Sequence, residues 1–373
     1  MSTATPDSRD RPRIALVGAG VIGTHHGLVI SELAERVELV AVIDVNLDRA
    51  EKVAAQHGGT TFSSLTEALA AVDIDIVVVC TPTGRHGELA IEALEAGKHV
   101  IIEKPAETTV AKTDKIIEAQ NKAGTLVAVI SQHRFDQSTE IAVDAIARGE
   151  LGRLTTGIAS IDWWRGQSYY DSGDWRGTWE LDGGGAMMNQ GVHTVDLLVA
   201  TMGRPVEVYA YTATLAHERI EVEDAAVVVV RFESGALGVI HATTAAYPGL
   251  SARLQVHGDQ GSVVIDNDEL SFVHITPQGS RADEKAYGSA SESINQVDSY
   301  RLTEPAGQTA GSNPGGLSTL AHRRQYENFL AALAGTEPLR VDLETNRQAI
   351  AIITGAYESA RSGKPVTLTS PSV

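Results

Sequence analysis

The chain has 373 residues, more than one hydrophobic core commonly organises, so two domains are expected. Thirty basic residues against 48 acidic ones give a net charge of −18, the wrong sign for a nucleic-acid backbone or an anionic membrane surface. The single cysteine, Cys80, excludes an internal disulfide, and no Cys/His spacing marks a metal centre, so no metal is expected.

The first ten residues read as a polar, disordered lead, and no apolar stretch reaches the length of a membrane span. Together with the charge this makes the cytoplasm the expected compartment. From residue 11 the chain alternates short β-branched runs with helical patterns. RIALVG, VELVAVID, DIVVVC, HVIIEK and TLVAVI are near-continuously apolar, as strands buried on both faces must be. Helical patterns lie between them at about 24–35, 47–56, 64–71, 86–96 and 110–122. That rhythm predicts an α/β, doubly wound parallel sheet over 11–133.

The first strand runs into GAGVIG, with Gly18, Gly20 and Gly23 in GxGxxG spacing. The first glycine allows a tight turn, the second a close approach to a pyrophosphate, and the third close helix–strand packing. Val21 and Ile22 open the helix whose N-terminus favours the anion. Asp44 stands 21 residues beyond Gly23 at the end of the second strand. A carboxylate there accepts from ribose hydroxyls and repels a 2′-phosphate, which favours NAD over NADP; nearby Arg49 weakens that preference. Thr81, Pro82 and His86, in TPTGRH, follow the third apolar run and are further cofactor contacts, although His86 also suits a helix start. Glu103, Lys104 and Pro105 follow the fourth. A lysine pinned by proline at a strand end points its ammonium at the crevice, where it can stabilise a developing alkoxide; a solvated loop lysine is the other reading. Gln132, after the last strand, is a cofactor candidate and Arg134 a substrate candidate.

Beyond residue 134 the rhythm changes. A helix at about 138–149 and a strand at 153–164 lead to DGGGAMMNQGVHTVDLL, where Asn189, His193 and Asp196 sit at i, i+4 and i+7 on one predicted helix face. Gly183–Gly185 are expected to let this helix approach a cofactor closely. VEVYAYTATL, DAAVVVVRFE, ALGVIHATTAA, ARLQVHG and GSVVIDN then predict a large, mostly antiparallel, open-faced sheet in an α+β domain over 134–339. An uncovered face suits a homo-oligomer, dimer or tetramer. The last amphipathic helices are expected to brace the domains, with 340–373 as a closing helix and tail.

In this order, GAGVIG with His26, TPTGRH, EKP and GGGAMMNQGVHTVDLL resemble the glucose–fructose oxidoreductase, inositol dehydrogenase and rhizopine-catabolism (Gfo/Idh/MocA) family over about 12–275. The resemblance implies an NAD(P)-dependent dehydrogenase of a cyclitol, sugar or polyol, inositol first and an aldose or anhydrosugar next. It implies that Lys104 binds and polarises the reacting oxygen and that His193 is the general acid/base. Inositol-dehydrogenase-like members commonly carry Asp where this chain has Asn189, which bonds a hydroxyl but cannot stabilise an imidazolium as a carboxylate would.

All four tryptophans fall in WWRGQSYYDSGDWRGTWELDGGG. Trp163, Arg165, Tyr169 and Trp175 suit stacking on the C–H face of a sugar and bonding of its hydroxyls; Arg176 suits cofactor or a neighbouring subunit. The polar stretch 279–316 is assigned no chemistry, though part of it is expected to order against another subunit or a lid. Two other functions compete: an NAD-retaining enzyme that oxidises a glycoside transiently to process it, and a non-enzymatic redox sensor.

Overall fold

The computed structural model describes residues 11–277, 294–300, 302 and 318–369. The expected leading segment 1–10 and most of 279–316 lie outside them. The chain divides into two compact units, one holding the residues up to Glu107, Ala111–Ile130 and His322–Leu343, the other Thr108–Val110, Ser131–Ala321 and Glu344 onward.

In the first unit β1 (Arg13–Val17), α1 (Val21–Glu32), β2 (Glu38–Ile43), α2 (Leu47–His57), β3 (Thr60–Phe62), α3 (Leu65–Ala71), β4 (Ile76–Val79), α4 (His86–Glu95), β5 (His99–Ile102), α5 (Val110–Ala123) and β6 (Val127–Val129) alternate. The strands form one six-stranded sheet in the order β3-β2-β1-β4-β5-β6, and every pairing is parallel. All the expected strands form; β3, only three residues of TTF, is too short to carry a sequence pattern. The strand order reverses beside β1, so the crevice at the carboxyl edge opens between β1 and β4.

The second unit carries α6 (Gln137–Ala147), β7 (Leu154–Asp162), α7 (Gln167–Tyr170), α8 (Val192–Met202), β8 (Pro205–Ala213), β9 (Ala225–Phe232), β10 (Leu237–Thr243), β11 (Ala252–Gly258), β12 (Gly261–Asp266) and β13 (Glu269–Ile275). After α9 (Leu320–Leu333) and α10 (Leu343–Ser362), β14 (Val366–Thr367) completes an eight-stranded sheet, β13-β12-β11-β7-β10-β9-β8-β14. Its pairings are antiparallel except β7 with β10, so the expected architecture is present with one parallel join at its centre. One face buries Ile161, Val228, Ile240 and Val256 with Leu198 of α8 and Ile352 and Ile353 of α10. On the other face Val227, Val229, Leu237 and Val239 remain 40–51% exposed, which is the predicted open face.

Helix α9 belongs to the first unit for nearly all its length. Tyr326, Phe329 and Leu330 enter that unit's core, and Gln325 Nε2 donates to Val129 O (2.7 Å), satisfying a carbonyl of edge strand β6. In the second unit α8 lies directly on β7. A Cβ at Gly157 of β7 would stand 2.7 Å from Leu198 Cδ1 and 2.8 Å from Met202 Cγ. Gly157→Val is therefore expected to cost about 1–3 kcal/mol by forcing α8 from the sheet; a urea midpoint unchanged from wild type would show that the helix yields freely.

Candidate active site

The glycine loop leaves β1 at the carboxyl edge of the six-stranded sheet. Gly18 has φ +97°, and a Cβ there would stand 2.6 Å from Cys80 O, so no other residue fits the turn against the end of β4. A Cβ at Gly23 would fall 1.8 Å from Gly18 O, which makes this the close helix–strand contact expected of the third glycine. Nothing lies within 4 Å of a Cβ built on Gly20. Helix α1 starts there with no side-chain cap and no acidic residue in its first turn, leaving its first N–H groups for an anion. Val21, in that first turn, is 76% exposed.

Asp44 faces this loop. Its Oδ2 accepts from Ala19 N (2.8 Å) and its Oδ1 from Asn46 N (2.8 Å), which fixes the carboxylate while each oxygen keeps a lone pair. At the end of β4, Thr81 Oγ1 is buried with no partner among the described residues. An open cradle, an uncapped helix start, an oriented carboxylate and an orphaned hydroxyl together fit a dinucleotide. Arg49 is exposed on the first turn of α2. His86 is a correction: it is buried, with Nδ1 2.8 Å from Pro105 O and Nε2 2.8 Å from Thr81 O, so its ring ties two strand ends together and presents no nitrogen to a cofactor. Burial lowers its pKa, against the two carbonyls.

Glu103 and Lys104 end β5 at the same edge. Glu103 is buried, so the expected cofactor contact is replaced by protein partners: Oε1 meets His26 Nε2 at 2.9 Å and Oε2 accepts from Lys104 N at 2.9 Å. His26 Nδ1 lies 2.7 Å from Tyr326 Oη, and His322 Nε2 stands 4.0 Å from Glu103 Oε1. Burial opposes ionisation of Glu103, yet the His26 hydrogen bond, its charge and Lys104 outweigh it and bring the carboxyl down to about 2. His26, Glu103 and His322 place ligand-type atoms within 4.8 Å of one another, but the 2.9 Å contact is a hydrogen bond and His26 already engages Tyr326. Lys104 itself is half-buried.

In the second unit the segment before α8 is a π-helical turn, Ala186–Gly191, and regular α-helix starts only at Val192. The wider turn breaks the even i, i+4 spacing assumed for Asn189 and His193. Asn189 Nδ2 hydrogen-bonds Asp182 Oδ1, and its Oδ1 accepts from Gln190 Nε2 (2.7 Å). His193 is half-buried and packs edge-on to His133, ring centroids 5.0 Å apart. His133 Nδ1 sits 2.7 Å from Asp136 Oδ2 and 3.2 Å from Asp268 Oδ1, a second group of metal-ligand type. Gln132 is buried, its Nε2 3.2 Å from His133 Nε2.

Asp196 anchors α8: it accepts from Ser131 Oγ and takes Arg134 through Nε (2.6 Å) and Nη2 (2.6 Å). Arg134, a sequence candidate for substrate, therefore has its guanidinium committed to a buried carboxylate. Trp163 is also displaced from its expected role, for it is 8% exposed and belongs to the core of the second unit. The glycine triplet serves contacts other than the expected one. A Cβ at Gly184 would stand 2.2 Å from Tyr357 Oη, and one at Gly185 1.8 Å from Glu223 O.

Glu223 carried no sequence signal. Fully buried, it accepts from Gly185 N (3.0 Å), Met187 N (2.9 Å) and Tyr357 Oη (3.0 Å), holding the start of the π-helical turn. Burial raises its carboxyl to about 7 despite those donors.

The glycine turn, the uncapped helix start and the oriented carboxylate of the first unit are those of a dinucleotide-binding protein. Residues 12–131 match the oxidoreductase family with an NAD-binding Rossmann fold, and residues 139–264 match the GFO/IDH/MocA C-terminal domain. The chain belongs to the Gfo/Idh/MocA family of NAD-binding dehydrogenases. It is 31% identical to myo-inositol 2-dehydrogenase of Thermotoga maritima over 74% of this chain and 81% of that one. It is 26% identical to levoglucosan dehydrogenase of Pseudarthrobacter phenanthrenivorans over 72% and 77% of the two chains. Among solved structures, the WlbA dehydrogenase of Chromobacterium violaceum in complex with NADH and UDP-GlcNAcA superposes with TM-score 0.82 at 32% identity, covering 99% of each chain.

Glu103 gives the site a pH signature. Its folded-state pKa is depressed, so its stabilisation is complete above the ordinary value of 4.5 and is shed as pH falls from there through about 2. Glu103→Gln is expected to cost up to about 3 kcal/mol at pH 7 and progressively less below pH 4.5. Urea unfolding of both proteins at pH 7, 4 and 3 checks it, and a gap that widens on acidification contradicts it.

Proposed function

We propose that this dehydrogenase oxidises a carbinol of a cyclitol or sugar, with Lys104 polarising the reacting oxygen and His193 moving its proton. The observation that carries this reading is the position of Lys104 at the end of β5, on the sheet edge that also bears Gly18, Asp44 and Thr81. Ligands of doubly wound sheets bind at that edge. The relatives support the substrate class, being named for myo-inositol and levoglucosan or solved with UDP-GlcNAcA.

When bound, NAD supplies the hydride acceptor. On this reading Gly18, Gly20 and the first turn of α1 hold its pyrophosphate, Asp44 its adenosine ribose, and Thr81 lines its path. Lys104, its backbone fixed by Glu103, places an ammonium against the substrate oxygen and stabilises the charge that grows as the proton leaves. His193 accepts that proton and returns it in the reverse direction. Asn189, oriented by Asp182 and Gln190, offers an amide to a neighbouring hydroxyl. The exposed valines of β9 and β10 support assembly of a dimer or tetramer through the open sheet face.

A screen of cyclitols, sugars and polyols with NAD and NADP in parallel tests the proposal. At least one is expected to yield NADH, with His193→Asn lowering kcat about 10²–10⁴-fold and Lys104→Ala about 10²-fold or more, NAD affinity being retained in the histidine variant. No reduction of either cofactor by any substrate rejects the proposal. A preference for NADP would remove the role given to Asp44.

A further inference from the structure

His86 opens α4 beneath the ends of two neighbouring strands, and both of its ring nitrogens face oxygen. Nδ1 lies 2.8 Å from Pro105 O and Nε2 lies 2.8 Å from Thr81 O. A carbonyl oxygen can only accept, and a neutral imidazole carries a single N–H. The neutral ring would turn a lone pair on one of the two oxygens, at a position only 1% exposed. The imidazolium donates to both.

The two carbonyls stand at places that matter to the cofactor. Thr81 follows β4 and abuts the glycine turn: a Cβ built on Gly18 would lie 3.0 Å from Thr81 N, and Cys80 N donates to Val17 O of β1 (2.7 Å). Pro105 follows Lys104 at the end of β5, the strand paired with β4. One ring thus sets the spacing between the strand end beside the dinucleotide turn and the strand end that delivers Lys104.

Burial disfavours the cation and lowers the pKa of His86 from 6.5, while Pro105 O, Thr81 O and the fields of Glu103 and Glu107 favour it. Glu107 packs against the first turn of α4, where a Cβ on Gly87 would meet its Oε1 at 2.9 Å, and its Oε2 lies 3.4 Å from Lys112 Nζ. The thiol of Cys80, at the end of β4, is kept protonated by burial. Arg85 and Glu88, on either side of His86, pair with each other at the surface (3.0 Å). Lys104 is the cation next to Pro105.

We propose that His86 is a positioning residue for the cofactor: as the imidazolium it clasps Thr81 and Pro105 in the spacing that NAD requires, so that NAD binding takes up a proton at His86. Loss of the proton leaves one carbonyl facing a lone pair, and the two strand ends relax from that spacing. The inference rests on the NAD-binding unit and is independent of the substrate. The free ring titrates below its ordinary value and NAD favours the protonated form, so affinity rises as pH falls through that region.

Calorimetric titration of the wild-type protein with NAD, at about pH 6.5 in buffers of different ionisation enthalpy, is expected to show uptake of a fraction of a proton. Between about pH 5.5 and about pH 8 the Kd is expected to rise about threefold to tenfold, the worth of one hydrogen bond. His86→Gln, which has no titrating group there, is expected to lose the uptake and to hold NAD weakly at every pH. No proton uptake by the wild type, or an uptake unchanged in folded His86→Gln, overturns the proposal. If His86→Gln does not fold, nitrogen NMR of the wild-type histidine rings decides. A ring that gains its second proton when NAD is added at constant pH supports the clasp, and an unchanged set of ring signals overturns it.

Discussion

The ion-like hydrogen bond between Glu103 and His26 is the interaction on which the edge of the Rossmann sheet depends. A carboxylate in that apolar interior carries a large desolvation penalty, offset only because His26 meets one oxygen and Lys104 N the other. His26 comes from the helix that follows the glycine loop, and Tyr326 of α9 holds its second nitrogen. One buried charge therefore ties together the cradle helix, the strand that delivers Lys104 and a helix from nearly three hundred residues later in the chain. The backbone of Lys104 is fixed by this node.

The second unit uses a buried acid differently. Glu223 has no basic side chain among its hydrogen-bond partners, only two backbone N–H groups and a tyrosine hydroxyl, so burial dominates and its pKa rises where that of Glu103 falls. Its partners Gly185 and Met187 begin the π-helical turn, and the glycines are required because Tyr357 and Glu223 approach so closely. Midway along α8, Asp196 is locked to Arg134 and Ser131. The stretch carrying His193 is thus held on either side of that residue, by Glu223 before it and by Asp196 after it.

Polar residues read as site candidates divided along that line. Where the physics of a motif is local, its geometry is the one its spacing predicts: the GAGVIG turn, Asp44 facing it and the lysine's place at a strand end all follow from the backbone within a few residues. Where a side chain's partner lies far away in sequence, the pattern was silent. His86, Arg134 and Trp163 have the right chemistry for ligands, but carbonyls, a carboxylate and a hydrophobic core reach them first. Glu223 lies in a stretch with no motif, and only the approach of the glycine turn gives it a task.

By itself the sequence determined the two architectures, since near-continuous apolar strands separated by helices favour a parallel sheet covered on both faces and later β runs favour a one-sided sheet. It determined the nucleotide cradle as well, because glycine spacing and a strand-end acid are properties of the local chain. Tertiary structure decided that β7 and β10 pair in parallel, that α9 serves the first unit, and that Asn189 stands in a π-helical turn. It also decided that two arginines meet over Tyr169. The reason is common to all four: each is settled by competition for burial and for hydrogen-bond partners between segments distant in the chain, which no local periodicity records.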